Sequence, residues 1–510
     1  MRTSFNGLHS CVFLLGVSLT GISAWAAPAP TFTVVDVIPK AQSAETAQNS
    51  EPNIAVKPFA NNATKIIIES FGVGGSPLWA TTDGGVTWAE RMTYPSGDTT
   101  VAWSPSGDAA YMSTLRTGLG AGGAQSKIET WKIADPTAND FAVIDTATFT
   151  DTSGAASPSI ADQPWIAVGR NAADNKNRLY VSYNDITRFS NTNNKDTAAV
   201  RFFDDGVASA TTVLDLAPSK FNGPPTRTVT AGAKVYSAFH RITDTANPDF
   251  TGDIVVTRDE NRGANNFNKS SNVASGVTLP QGSTGAGTKL GVQKCRSSVS
   301  IAVHPSIDSL VYVSYADVTT VSGTQYPRLH VRRSTDGGQT WDATNKYDLV
   351  FDTAMPSLAV STNGVVGLLY EEHFTGTTRL KTQFVELDQA LNEIFSPVTL
   401  ASFDETSLDS TGAFLVGDYF DLEAHGEKFL GTFSAANDPT FANFPQGAKF
   451  LRSLKDNPDG GIVDATHNFL LPVGTDHSID PFFFSTIAVP EPGSMALLLF
   501  GGIALIRRRR

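Results

Sequence analysis

Short segments that alternate hydrophobic and polar residues recur along the whole middle of the chain. Each pairs a small apolar strand with a second strand rich in Tyr, Val and Ser, as in residues 165–168 (Trp-Ile-Ala-Val) and 179–183 (Leu-Tyr-Val-Ser-Tyr). A period of two residues is typical of strands that bury one face, and the helical period of 3.6 residues is almost absent. The pattern therefore predicts an all-β protein.

The paired segments form one repeat that occurs seven times. Its first strands are centred near residues 54, 101, 166, 229, 301, 358 and 420, with a mean spacing of about 61 residues. A unit of this length with four short strands is a propeller blade, so we predict a seven-bladed β-propeller with four-stranded blades. The second and fourth copies match the pattern less closely, which leaves six blades open, and a stacked β-sandwich array is the other alternative. The strand-like run at 31–37 is predicted to complete the last blade and close the ring.

Composition narrows the function classes. The chain has 510 residues, 17% of them charged, and a formal net charge of −12. An acidic chain lacks the basic face that meets phosphate, which argues against nucleic-acid binding. Of its two cysteines, Cys11 lies in a predicted signal, and Cys295 has no histidine near it in sequence, so neither is expected to be a nucleophile. The scattered histidines offer no metal-binding spacing, and we expect no metal and no cofactor.

Both ends of the chain have sequence patterns that indicate sorting segments. Residues 1–26 combine a charged start, an apolar stretch at 12–22 and a small-residue cleavage site, which is the pattern of a secretory signal peptide. The C-terminus contains Pro490, Glu491 and Pro492, then an apolar stretch at 495–506 and four arginines. As a helix, that stretch reaches only about 18 Å, against a bilayer core of about 30 Å.

Residues 489–510 resemble the PEP-CTERM sorting signal. The resemblance implies a Gram-negative bacterium, processing by an exosortase-type enzyme, and transient membrane insertion by the C-terminal helix. It also implies a destination at the cell surface or in the extracellular matrix, often beside exopolysaccharide. The mature propeller would then span residues 27–488, with 33 basic and 49 acidic residues and a net charge of −16.

Two short motifs share the pattern Ser/Thr-x-Asp-x-Gly-x-Thr-Trp, at residues 81–88 and 334–341. They resemble the Asp-box, or BNR repeat, of sialidase-like propellers, where it forms a turn between the third and fourth strands on the face opposite the active site. The resemblance implies a structural role for six residues: Asp83, Gly85, Trp88, Asp336, Gly338 and Trp341.

The connections that enter the first strands and leave the second strands share one end of a propeller, and polar residues collect there. Those that we expect to bind a ligand are Arg227, Arg241, Arg296, Asp185, Asp317, Asp418, His240 and His373. The sialidase resemblance further implies an arginine cluster for a substrate carboxylate and a catalytic set drawn from Tyr419, Glu371, Glu372 and Asp162. The Arg-Ile-Pro motif of true sialidases is absent after the signal.

These features lead to three functional hypotheses. The first is a surface propeller that binds a glycan or extracellular polymer through this funnel-shaped end. The second is an exo-acting, sialidase-like glycosidase that uses a Tyr/Glu pair and the arginine cluster. The third is a structural matrix protein that makes protein contacts there.

Overall fold

The structure is a computed structural model, and it describes most of the predicted propeller. The described residues are 31–39, 49–58, 65–72, 75–119, 125–135, 141–150, 161–170, 175–185, 198–205, 212–217, 226–244, 250–264, 267–280, 298–350, 352–373, 377, 379–404, 416–437, 442–449, 462–463 and 479–487. Both predicted sorting segments lie outside them. Within these ranges the chain forms strands and no helix.

The strands form seven sheets. The chain starts with β1 (Thr31–Asp36), and blades 1 to 3 follow as β2 (Asn49–Val56), β3 (Ile66–Gly72), β4 (Ser76–Thr81), β5 (Ala89–Tyr94), β6 (Thr99–Trp103), β7 (Ala110–Leu119), β8 (Gln125–Ile133), β9 (Phe141–Thr150), β10 (Ala161–Arg170), β11 (Asn177–Asp185), β12 (Ala198–Asp204) and β13 (Thr212–Ala217).

Blades 4 to 6 repeat this order. They consist of β14 (Arg227–Ala231), β15 (Lys234–Asp244), β16 (Phe250–Asp259), β17 (Lys269–Leu279), β18 (Val299–His304), β19 (Ile307–Val321), β20 (Thr324–Ser334), β21 (Lys346–Asp348), β22 (Thr353–Val360), β23 (Val366–His373), β24 (Arg379–Leu387) and β25 (Val398–Asp404). Blade 7 contains β26 (Asp421–His425), β27 (Lys428–Ala436), two short strands β28 (Ala448–Lys449) and β29 (Ile462–Val463), and β30 (Ile479–Ile487). The predicted seven-bladed, four-stranded architecture is confirmed.

The N-terminal strand closes the ring. β1 pairs with β30 in antiparallel register from Thr31–Ile487 to Asp36–Phe482, and β30 pairs in turn with β27. The fourth strand of blade 7 therefore comes from the opposite end of the chain, as the run at 31–37 predicts. This pairing joins the N-terminal strand to the last blade and so closes the ring.

A buried tyrosine in the second strand links several blades to the next one. Tyr111, Tyr236 and Tyr312 lie opposite small or β-branched residues of their first strands and are fully buried. Each hydroxyl donates a hydrogen bond to the following blade, to Asp205 Oδ2 (2.7 Å), Asp308 O (2.7 Å) and Gln389 O (3.2 Å) respectively. Each ring thus fills the space between blades while its hydroxyl stays satisfied.

Two ends of the ring are defined by strand direction. We call the end where the first strands begin the upper end, and the end where they finish the lower end. Third strands run in the same direction as first strands, so the turns between third and fourth strands lie at the lower end. The motifs at 81–88 and 334–341 form two such turns, after β4 and after β20.

Both turns have the same hydrogen bonds. Asp83 Oδ1 accepts from the amides of Val86 (3.0 Å) and Thr87 (2.9 Å), and Asp336 Oδ1 accepts from those of Gln339 (2.9 Å) and Thr340 (2.9 Å). Partial burial alone would raise the pKa of Asp336, but bonds from Thr340 and Ser334 outweigh it and lower that pKa to about 2. These aspartates are therefore ionised turn-forming residues at the lower end.

The turn of blade 1 packs against the strand that closes the ring. Gly85 has φ +92°, and a Cβ on it would overlap the Phe483 ring of β30. Gly426, in the turn between β26 and β27, has φ +65° and nothing within 4 Å of a Cβ. We expect Gly426→Ala to cost about 1 kcal/mol, the penalty of positive φ, and Gly85→Ala to cost roughly 3 kcal/mol, because it adds overpacking. Urea unfolding of both variants measures the difference, and equal losses would contradict this packing.

Candidate functional site

A central channel runs along the axis of the ring. The first strands of all seven blades line it, and it encloses about 500 Å³. Its lining reaches Pro58, Pro105 and His425 at the lower end and stops at Trp165 and Arg227 toward the upper end. A volume of this order is typical of small-molecule sites.

Polar side chains of the first strands bind backbone amides of the next blade. Asn53 Oδ1 accepts from Val101 N (2.7 Å), and Thr100 Oγ1 accepts from Ile166 N (3.0 Å). Two further bonds of this kind run from Leu358 N to Ser300 Oγ (3.0 Å) and from Ile54 N to Asp421 Oδ2 (3.2 Å). A first strand has one edge without a partner strand, so these side chains satisfy amides that would otherwise stay unpaired.

Blade 3 departs from this pattern. The corresponding position holds Trp165, and the guanidinium of Arg227 from blade 4 lies 4.0 Å from the centroid of its ring. The same guanidinium is 5.2 Å from the ring of Tyr419, and the two aromatic rings meet edge to face at 5.8 Å. Tyr419 also donates a hydrogen bond to Thr99 O (3.2 Å). Trp165 and Arg227 are where the channel lining stops toward the upper end, and Tyr419 packs against both, so we call this aromatic–arginine cluster, Trp165, Arg227 and Tyr419, the closed end of the channel.

Arg227 is a buried cation whose terminal nitrogens lack hydrogen bonds. The residue is 4% exposed, and neither Nη1 nor Nη2 has a partner among the described residues. Burial lowers the pKa of Arg227 to about 10, against the opposing effect of Tyr419, Asp421 and Asp418. The side chain therefore stays charged at neutral pH and offers unused donors to an anion.

An acidic layer surrounds this cluster at the upper end. Asp418 N donates to Glu51 Oε1 (3.1 Å), Gln163 Nε2 donates to Asp418 Oδ2, and Gln163 N donates to Asp98 Oδ2 (3.1 Å). Burial, followed by the charges of Asp98 and Glu51, raises the pKa of Tyr419 well above its usual value. The phenol is therefore neutral at neutral pH.

Strained backbone positions the residues of this layer. Glu51 and Gln163 have φ of 55° and 47°, and each precedes a proline at an irregularity in the pairing of its first strand. Met355 repeats this arrangement in blade 6, with φ 54°. The strain turns the first two side chains toward Asp418, where Gly417 at φ +103° makes room, since a Cβ on it would overlap Glu51.

Three titratable residues alternate along β26 and line the channel. Burial raises the pKa of Asp421 to about 6 and that of Glu423 to about 8, and for Glu423 the charge of Asp421 adds to this effect. Asp421 Oδ2 accepts from Asn53 Nδ2 (2.7 Å), and Glu423 Oε2 accepts from Val56 N (2.8 Å). Burial, with Lys428 nearby, lowers the pKa of His425. At neutral pH Glu423 is thus mainly protonated.

The candidate residues predicted from sequence fall into separate environments. Arg227, Tyr419 and Asp418 lie together at the closed end of the channel. Asp162 and Asp185 lie where β10 pairs with β11. Arg241 binds Asp253 (3.1 Å) and Asn272 (2.8 Å), so it does not offer its guanidinium freely. Arg296 lies outside the described residues.

The remaining candidates lie near the upper end of blades 4 to 6. Burial lowers the pKa of His240 to about 3, so this histidine is neutral. Asp317 Oδ1 lies 2.9 Å from His330 Nε2, and His373 Nδ1 lies 3.5 Å from Asp352 Oδ2. Glu371 is buried in β23, and Glu372 Oε2 accepts from Gln383 Nε2 (2.8 Å). The pairing of Tyr419 with Glu371 or Glu372 stays a prediction.

Sequence reasoning missed Trp165, Gln163 and Glu423. The signal for Trp165 was present, because it is the one aromatic residue at a position that the other repeats fill with Asn, Thr, Ser or Asp. The signal for Glu423 was the alternation Asp-x-Glu-x-His along β26, which places three titratable residues on one face of a strand. No group of three His, Cys, Asp or Glu residues in the described ranges could hold a metal ion.

A comparison with solved structures finds distant similarities. An α-L-arabinofuranosidase from Fusarium graminearum is 10% identical, covers 90% of this chain and 97% of its own, and has a TM-score of 0.41. An α-L-arabinanase from Penicillium chrysogenum is 11% identical, with 80% and 94% covered and a TM-score of 0.40. A subtype N10 neuraminidase-like protein from a little yellow-shouldered bat strain is 9% identical, with 64% and 92% covered and a TM-score of 0.34.

The buried carboxyl groups of β26 generate a pH prediction. An unfolded glutamate releases its proton near pH 4.3, whereas folded Glu423 holds it to about pH 8, so stability falls as pH rises across this interval. We expect Glu423→Gln to remove part of that loss. Its stability relative to the native chain should rise by roughly 2 kcal/mol between pH 5 and pH 9.

Urea unfolding at pH 5, 7 and 9 measures this effect. The matched control is Glu427→Gln, which changes an exposed glutamate in the adjoining turn and should leave the pH dependence of the native chain unchanged. A pH-independent difference between Glu423→Gln and the native chain would contradict the raised pKa.

The comparisons with known sequences find a match at the C-terminus. No curated protein sequence matches the chain. The described residues contain no helix that could span a bilayer. Residues 488–510 match the model of the PEP-CTERM protein-sorting motif, and this motif implies export and processing by an exosortase in a Gram-negative bacterium.

Proposed function

We propose that this exported propeller binds an anionic glycan in its central channel, with the acidic sugar at the closed end. The observation that carries the proposal is the buried guanidinium of Arg227, which stacks on Trp165 and finds no hydrogen-bond partner for either terminal nitrogen within the described part of the chain. Leaving donors of a buried cation unpaired is costly, and a carboxylate or sulfate that accepts from them offsets this cost.

The rest of the channel suits a saccharide. Trp165 offers an aromatic face for a sugar ring, and Asp421, Ser300 and Ser357 line the walls with groups that hydrogen-bond hydroxyls. Apart from Arg227, the titratable residues that line the channel are Asp421, Glu423 and His425. A ligand that carries one negative group would therefore bind in a single orientation, with that group at Arg227.

The proposal predicts that Arg227 governs affinity for acidic sugars. We expect Arg227→Gln to weaken binding of oligogalacturonate by ~10- to 100-fold, since a charge-assisted hydrogen bond contributes about 1.5–3 kcal/mol. The methyl-esterified, uncharged oligosaccharide should bind weakly to both proteins. Titration calorimetry at constant salt measures the four affinities.

Arg241→Gln is the matched control, because this arginine of the same blade already binds Asp253 and Asn272. It should retain native affinity. Equal affinity of the native chain for the charged and the esterified oligosaccharide would contradict the proposal, as would an unchanged affinity of Arg227→Gln. A thermal melt of each variant separates a binding defect from unfolding.

The glycosidase hypothesis is the second candidate. The surroundings of Tyr419 distinguish it from binding without bond cleavage. Its hydroxyl donates to Thr99 O and its pKa is raised, whereas a nucleophilic phenol needs a base that accepts its proton. These observations favour binding without bond cleavage. The matrix-protein hypothesis requires only the surface of the ring and no occupied channel.

Tyr419→Phe tests this choice. It removes the hydrogen bond to Thr99, so we expect a loss of about 1 kcal/mol in stability, glycan affinity within about twofold of native, and no turnover of a fluorogenic sialoside by either protein. Turnover by the native chain that disappears in Tyr419→Phe would establish the glycosidase instead.

A further inference from the structure

The direction of β30 fixes where the C-terminal sorting segment leaves the ring. β30 is antiparallel to β27, and β27 is antiparallel to β26, so β30 runs from the upper end to the lower end. It finishes at Ile487, and residues 488–510, which match the sorting motif, follow directly. The segment therefore leaves from the lower end of blade 7.

The same register places this exit beside the mouth of the channel. His425 pairs with Lys428 at the β26–β27 turn, and Leu430 pairs with Ser485, so Ile487 lies level with Lys428. Phe429 N donates to Thr486 Oγ1 (2.9 Å), which supports this alignment of β27 with β30. Neighbouring strands are about 4.8 Å apart, so Ile487 is roughly 10 Å from His425, which lines the lower end of the channel.

The link between the propeller and the apolar stretch is short. Residues 488–494 separate Ile487 from the apolar stretch that begins at Met495. Seven residues span at most about 25 Å when fully extended. The nine residues of β30 alone span about 30 Å, so this link cannot reach the upper end of the ring.

We propose that, while the sorting segment is in the membrane, the lower end of the propeller faces the lipid surface and the upper end faces outward. The mouth of the channel then opens toward the bilayer, within the reach of a seven-residue tether. The lower-end turns carry both signs of charge, with Asp83, Asp336 and Glu427 but also Lys57, Lys65 and Lys428, so the tether and not a basic surface holds this orientation. Bulky polymers reach the mouth of the channel only after the sorting segment is gone.

Cysteine accessibility in the full-length chain tests this orientation. In a background with Cys11→Ser and Cys295→Ser, Glu427→Cys places a thiol in the exposed β26–β27 turn at the lower end. Its matched partner, Gln325→Cys, places one on the exposed β19–β20 hairpin at the upper end. Both are labelled in proteoliposomes, in the outward-inserted population, with a 5 kDa polyethylene glycol maleimide and with a small maleimide of the same charge.

We expect the large reagent to label Glu427→Cys at least ~10-fold more slowly than Gln325→Cys, while the small reagent labels both at similar rates. The difference should vanish in the detergent-solubilised full-length chain and in a chain that ends at Ile487. Equal labelling by the large reagent in proteoliposomes, or slower labelling of Gln325→Cys, would overturn the orientation. Because no glycan is present, the result does not depend on what the channel binds.

Discussion

The unpaired inner edge of each first strand is the constraint on which this ring depends. A four-stranded blade satisfies its own backbone only up to that edge, and the amides there face neighbouring blades and the channel. The side chains of Asn53, Thr100, Ser300 and Asp421 accept hydrogen bonds from the next blade, and all of them except Thr100 also line the channel. The polar lining is therefore first a requirement of the architecture. Only a departure from it indicates a ligand.

That departure occurs where Trp165 replaces the polar residue. An indole accepts no amide hydrogen bond, and the space is filled by the guanidinium of Arg227, which stacks on it. The carboxyl groups of Asp418 and Asp421 act on this guanidinium through their charges, and its terminal nitrogens gain no hydrogen bond from them. Charge balance thus explains why the arginine is tolerated in the core, but it leaves the hydrogen-bonding capacity unused. The anionic group of the proposed ligand would use that capacity.

Much of the fold could be predicted from the sequence, because local sequence patterns specify the repeat. Alternation predicted the strands, the spacing predicted the blades, and the two Asp-containing turns follow from side chains within a few residues of each other. The candidate site could be predicted only in part. Arg227, Tyr419 and Asp418 were predicted as site residues and lie together in the structure, whereas Arg241, predicted by the same reasoning, binds Asp253.

The missing part depends on contacts between distant residues. Glu51, Gln163 and Met355 all adopt positive φ before a proline at the same pairing irregularity, so this bend belongs to the repeat, whereas the contacts of Glu51 and Gln163 with Asp418 join residues more than 250 positions apart. No pattern within one repeat contains that information. The same holds for the register between blades, which decides whether a residue such as Trp165 faces a neighbouring blade or the channel.

The junction between blades 7 and 1 shows how closure and chemistry are coupled. Its outer part is closed by backbone pairing of β1 with β30, and its inner part by Asp421 and Glu423, which accept from the amides of Ile54 and Val56. At this one junction two buried carboxyl groups make the inner bonds, whereas neutral groups make those described elsewhere in the ring. Deprotonation of Glu423 strengthens its single bond to Val56 but places a second charge beside Asp421 in a poorly solvated channel. Burial, followed by the charge of Asp421, outweighs that bond and raises the pKa of Glu423 to about 8. The junction between blades 7 and 1 is therefore most stable when Glu423 is protonated. A ligand cation or hydroxyl that contacts Glu423 would act on this same junction, which joins the two ends of the propeller.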